Sequence, residues 1–71
     1  MAIASISTIT SASPEGWQHA AELGFERARK TLRGITGIKV IEEKARVEDG
    51  QIVEYLVTLQ VIFLLEESEE G

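Results

Sequence analysis

The segment Ile52–Leu65 (IVEYLVTLQVIFLL) limits what this chain can become. Its odd positions Val53, Tyr55, Val57, Leu59, Val61, Phe63 and Leu65 form a nearly complete apolar row at strand period. The even positions are not cleanly polar, because Leu56, Ile62 and Leu64 interrupt Glu54, Thr58 and Gln60. A half-buried strand alternates apolar with polar, whereas this one asks for cover on both faces. The chain offers one cover, a single helical segment. A contiguous apolar patch left on the second face marks an interface. With 71 residues and no cysteine, the chain has neither the length for a large core nor a disulfide to replace one. The cover expected for the second face is therefore another copy.

The remaining segments are shorter. Ile3–Thr10 is rich in β-branched residues and reads as a strand, ending in the small polar run Ser11-Ala12-Ser13. Ser13-Pro14 reads as a helix start, with the serine hydroxyl accepting from an orphan backbone N–H and proline in the first turn. From Pro14 to Arg33, Trp17, Ala20, Ala21, Gly24, Ala28 and Leu32 recur at three- and four-residue spacing as one narrow stripe. Its small residues let the helix lie close on a sheet, and Gly34 is expected to terminate it. Ile38–Val47 reads as a second strand that alternates poorly. Glu48-Asp49-Gly50-Gln51 holds the Asp-Gly pair of a tight hairpin into the third strand, Ile52–Leu65. The acidic tail Glu66–Gly71 reads as frayed. The expectation is one α+β domain over residues 1–71, β-α-β-β, a three-stranded antiparallel sheet wrapped on one helix.

Several function classes find little support. No run approaches the apolar length of a membrane span, and the first residues lack the basic start and apolar centre of a secretory signal. A net charge of −5 argues against nucleic acid as partner. The basic group Arg27, Arg29, Lys30 and Arg33 reads as dipole-complementing residues at the helix end. Nucleophile motifs, phosphate loops and His/Cys metal clusters are missing, so no enzyme is expected. His19, the single histidine, reads as a solvated residue beside Glu15 and Glu22; Trp17, the single tryptophan, as packing at the helix–sheet or subunit contact. Cytoplasmic residence fits a cysteine-free chain.

Over almost its whole length the chain resembles the dodecins. The residues that carry the likeness are Ser11-Ala12-Ser13-Pro14-Glu15-Gly16 at the helix entry and Arg27-Ala28-Arg29-Lys30-Thr31-Leu32-Arg33 at its end. Glu54-Tyr55 opens the last strand and Val61-Ile62-Phe63-Leu64-Leu65-Glu66 closes it. The resemblance implies a hollow homododecamer built from trimers, helices outside and sheets inward. It implies a small-molecule ligand held non-catalytically, by family default a flavin such as FMN or riboflavin. In flavin-binding dodecins paired rings stack between tryptophans at the start of the second strand. A glutamine after the tyrosine that opens the third strand hydrogen-bonds the ring. By ungapped spacing those positions are Gly37 and Leu56 here, which can neither stack nor bond. Lys44 matches a basic position of bacterial flavin-binding members, and Arg46 could also face a ligand phosphate; cross-strand pairing with Glu54 or a neighbour's carboxylate is the plainer alternative for both. Dodecins lacking the tryptophan include calcium binders, and this chain is similar to that branch. Glu42, Glu43 and Glu48 are the candidate oxygen ligands, without loop-type metal spacing, and a structural oligomer without a retained ligand is the remaining alternative.

Overall fold

The computed structural model describes residues 2–66 and runs β1 (Ala2–Ser13), α1 (Trp17–Thr31), β2 (Ile35–Glu48), β3 (Gln51–Glu66). The last strand is the central one: the sheet order is β1-β3-β2, with both neighbours antiparallel to β3. Two edge strands thus run parallel to each other, and α1 crosses between them. This is the expected β-α-β-β subunit. The tail expected to fray lies, from position 67 on, outside the described residues.

Register decides the faces. Ser11 pairs with Val57, Ile9 with Leu59 and Ser7 with Val61, so odd residues of β1 and β3 share the side under α1. Val57, Leu59 and Val61 are buried there by Ala20, Gly24 and Ala28, the small-residue stripe. Gly24 sets the approach: a Cβ at that position would stand 2.9 Å from Ser11 Oγ and 3.1 Å from Leu59 Cδ1. Ser11 Oγ in turn donates to the Ala20 carbonyl and ties the helix to β1.

Three local expectations are corrected. The helix begins at Trp17 rather than Pro14, because Ser13 is still a strand residue, paired with Tyr55. Its hydroxyl does accept an orphan N–H, from Glu15 at 3.0 Å, but in the turn before the helix. Gly16, at φ 145°, is the cap residue. At the other end Leu32 is the cap, its N–H bonded to the Ala28 carbonyl at 2.9 Å, so Arg33 falls outside the helix. Gly34 serves a later purpose. Its φ is 73°, its carbonyl accepts from Leu64 N–H at 2.9 Å, and a Cβ there would meet the Leu64 carbonyl at 2.9 Å. The glycine is demanded by the close approach of the turn to β3.

The poor alternation of β2 has a cause in the ladder. Register shifts fall between Ile35 and Gly37 and between Val40 and Glu42, so Thr36 and Ile41 have no partner on β3 and the inside–outside rhythm slips at each. The hairpin is as expected. Asp49 (φ 53°) and Gly50 (φ 75°) form a two-residue loop with both φ positive, as in a type I′ turn.

Candidate functional site on the uncovered sheet face

The even residues of β3 point away from α1, together with the residues directly opposite them. Leu56 stands between Ala12 of β1 and Lys44 of β2. Leu56 and Ile62 are half-buried, Leu64 is 39% exposed and Ile6, opposite Ile62, is 56% exposed. The second face therefore carries the uncovered apolar residues that its sequence requires. Between the two apolar ends runs a polar belt. Thr8 and Lys39 flank Gln60, while Thr10 and Glu42 flank Thr58, with Thr10 Oγ1 and Thr58 Oγ1 3.0 Å apart. Sequence reasoning missed this belt. Its signal was the alternating Thr8 and Thr10, which acquire meaning only once β1 is registered against β3.

Charges on this face are paired across and along the strands. Arg46 Nε donates to Glu54 Oε1 at 3.1 Å, and its Nη1 to Glu48. The hydrogen bond to Glu54, then that to Glu48, holds the Arg46 guanidinium pKa above its ordinary value. Lys44 Nζ lies 3.7 Å from Glu42 Oε1. The cross-strand pairing with Glu54 is thus observed for Arg46, whereas Lys44 pairs along its own strand. Lys44, Glu42, Arg46 and Glu48 are exposed and Glu54 is half-buried, so water screens each of these pairs. Lys44 and Arg46 thus stand beside Leu56 already paired, two cations among three carboxylates.

The four positions singled out for a ligand do not converge in one subunit. Lys44 is directly opposite Leu56 and Arg46 is one step further along the face, opposite Glu54. Gly37 is opposite Ile62, six residues along β3 from Leu56, or about 20 Å of extended strand. A ring touching both a residue at 37 and a residue at 56 must lie between two copies. Gly37 has room for a side chain: its φ is not positive, and a Cβ would sit 3.8 Å from Ile62 Cδ1, an ordinary contact. Backbone geometry does not demand glycine there. The residues present do not fit a stacked, hydrogen-bonded flavin, since neither Gly37 nor Leu56 supplies the required group.

The metal candidates also separate. Glu42 shares the free face with Lys44, Glu43 opposes Val57 and points to the helix side, and Glu48 is held by Arg46. Among the described residues no three His, Cys, Asp or Glu side chains of one subunit are grouped to hold an ion.

Near the helix entry, His19 departs from its expected solvated state. It is half-buried, with Nδ1 2.6 Å from the Oγ of buried Ser13 and 3.9 Å from Glu15 Oε1. Trp17 packs at the helix–sheet boundary as expected, though its ring stays 36% exposed. Its Nε1 donates to the Lys44 carbonyl at 2.9 Å, and its ring meets Tyr55 edge-on at 4.8 Å. Lys44 and Arg46 thus stand on a strand that the only indole holds from the opposite face. Among the described residues no helix is long and apolar enough to cross a membrane.

Comparison with known proteins accounts for this arrangement. A family model described as Dodecin matches residues 3–66. The dodecin of Thermus thermophilus is 39% identical over 56 residues, 79% of this chain and 81% of the relative. The solved dodecin of Streptomyces davaonensis superposes with a TM-score of 0.86 at 35% identity, covering 93% of this chain and 97% of that one. The calcium dodecin of Mycobacterium tuberculosis, described as calcium-chelating with a novel calcium-binding site, superposes with a TM-score of 0.79 at 30% identity, covering 97% and 99%. With its central last strand, its single crossing helix and this match over nearly every described residue, the chain belongs to the dodecin family.

Proposed function

We propose that this protein is a non-catalytic shell: a closed homo-oligomer, of twelve copies as the resemblance implies, whose inward sheet faces hold a small ligand between copies, in the cytoplasm. The observation that carries this reading is the free sheet face, with apolar ends, a polar central belt and two paired cations beside Leu56. An anionic group on the ligand would have to take Lys44 and Arg46 from Glu42, Glu48 and Glu54, while apolar contact with Leu56 or Ile62 fits its remainder. Flavin stacking of the usual kind is not the retained function, because Gly37 and Leu56 lack the indole and the amide. Stacking on an indole is worth about 0.5–1.5 kcal/mol beyond area burial, and a ring hydrogen bond a similar amount.

The experiment is a gain of binding. The wild-type chain should purify colourless and bind riboflavin or FMN weakly. Gly37→Trp with Leu56→Gln should recover flavin binding with quenched flavin fluorescence, since position 37 has room for a side chain. The pair should exceed the sum of the single changes, because both would touch one ring. A yellow wild-type protein, or an assembled double variant that ignores flavin, overturns the account.

The calcium dodecin relative supports a second reading, in which carboxylates among Glu42, Glu43 and Glu48 gather from several copies at a symmetry axis and hold calcium.

A further inference from the structure

The free sheet face carries branched aliphatic side chains and no ring. Of the four aromatic residues of the chain, Trp17 and Phe25 belong to α1, while Tyr55 and Phe63 are odd residues of β3, on the side the helix covers. An aromatic ligand finds no stacking partner on this face. At one end of it Ile6, Ile62 and Gly37 stand abreast on the three strands, with exposed Leu64 two residues further along β3. Gly37 turns this row into a bay. Its φ is not positive, so the backbone does not ask for glycine, and a Cβ placed there would meet only Ile62 Cδ1 within 4 Å, at 3.8 Å. The absent side chain leaves an opening beside Ile62 that the chain does not fill itself.

The next row of the same face is polar. Thr8, Gln60 and Lys39 stand abreast, one step of about 7 Å from Ile6, Ile62 and Gly37. Lys39 is exposed and makes no ion pair among the described residues. That separates it from Lys44 and Arg46, which Glu42, Glu48 and Glu54 already hold. An anion that reaches Lys39 displaces no carboxylate, whereas one that reaches Lys44 or Arg46 has to. Gln60 and Thr8 add an amide and a hydroxyl able to donate to the same anion.

We infer that the ligand is an aliphatic monoanion of the fatty-acid class, its carboxylate at Lys39 and its hydrocarbon chain laid in the bay over Gly37, Ile62 and Leu64. From Gln60 to Leu64 is about 13 Å of extended strand, room for a chain of medium length. Shape and charge select the same class. A ring has nothing to stack on, and a polyphosphate would meet a single unpaired cation in this row. A hydrocarbon chain covers the aliphatic walls, and one carboxylate matches one lysine. The inference rests on the reading of the chain as a shell that holds a small ligand, and it names that ligand's class and its anchor.

The test titrates the full chain with decanoate and with its uncharged counterpart decanol, both below micelle formation. Calorimetry reads binding and light scattering reads mass. Decanoate should bind saturably, and decanol about tenfold or more weakly, because it cannot make the charged contact. Lys39→Gln, a change at an exposed position, should bring decanoate down to the affinity of decanol. Gly37→Leu, which fills the bay with the chain's own side chain, should abolish binding of both at unchanged mass. If Gly37→Leu lowers the mass, Lys39→Gln decides alone. Decanoate that binds Lys39→Gln as tightly as wild type, or decanol that binds as tightly as decanoate, overturns the inference. An assembled wild-type chain that ignores decanoate overturns this ligand class and leaves the shell standing, whereas a wild-type chain with the mass of one subunit overturns the shell reading itself.

Discussion

Trp17 is tied to the sheet by an edge-on pair with Tyr55 and an indole hydrogen bond to the Lys44 carbonyl. Because the ring remains 36% exposed, its removal leaves no closed cavity and water can reach the freed carbonyl. Trp17→Ala should therefore cost about 2–3 kcal/mol, below the ~3–5 kcal/mol of a fully buried aromatic. Denaturant midpoints at fixed protomer concentration measure it. An unchanged midpoint would reassign the indole to ligand or subunit contact. The residue's packing role was legible from its place on the stripe. Its hold on Lys44, 27 positions away, was not, since it depends on how the hairpin lies under the helix.

At the scale of the elements, the spacing between α1 and β1 is set by Gly24 and Ser11. Alanine at position 24 has the better helix propensity, by about 1 kcal/mol. Its methyl would nevertheless stand 2.9 Å from Ser11 Oγ, which is already engaged with the Ala20 carbonyl. Overpacking of this kind costs about 1–3 kcal/mol and should outweigh the propensity gain. Gly24→Ala should lower the melting midpoint, and adding Ser11→Ala should restore most of the loss. Loss without rescue would locate the clash at Leu59 Cδ1 instead, 3.1 Å from the added methyl. The same element pair shows why the helix start was misread. Ser13-Pro14 carries a sound local signal, yet pairing with Tyr55 keeps Ser13 in the strand and moves the start to Trp17.

The whole chain is far more extended than a compact domain of its length. Its radius of gyration is 15.3 Å, against about 11 Å for a compact chain of this length, and it extends 60 × 18 × 13 Å. Among the described residues Ala20, Ala28, Val57, Leu59 and Val61 are the buried apolar side chains. On the proposed assembly folding and association are linked, and anything that binds the assembled state raises its melting midpoint by mass action. Calcium offers such a test. Copies of Glu42 or Glu48 brought together at an axis would repel one another, and the ion would have to displace Lys44 and Arg46. On that reading millimolar calcium raises the midpoint by a few degrees, about 4–8 °C per kcal/mol for a domain of this size, and a chelator reverses it. A curve indifferent to both removes calcium as the ligand.

The sequence by itself determined the element order, the hairpin at Asp49-Gly50, the helix stripe and the need of Ile52–Leu65 for cover on two faces. Each is written in local periodicity or in a turn residue, so neighbours along the chain suffice to reveal it. Two of the candidate site's cations, Lys44 and Arg46, were also legible, as was the cross-strand partner Glu54. Tertiary structure alone decided which charges pair, that Gly37 and Leu56 stand about 20 Å apart, and that Glu42 and Glu43 face opposite ways. Those outcomes depend on strand register, and β2 changes register at Thr36 and Ile41, where an unpaired residue shifts every later side chain relative to β3. The polar belt across the free face arises in the same way. Thr10 meets Thr58 only because the first strand of the chain lies beside the last.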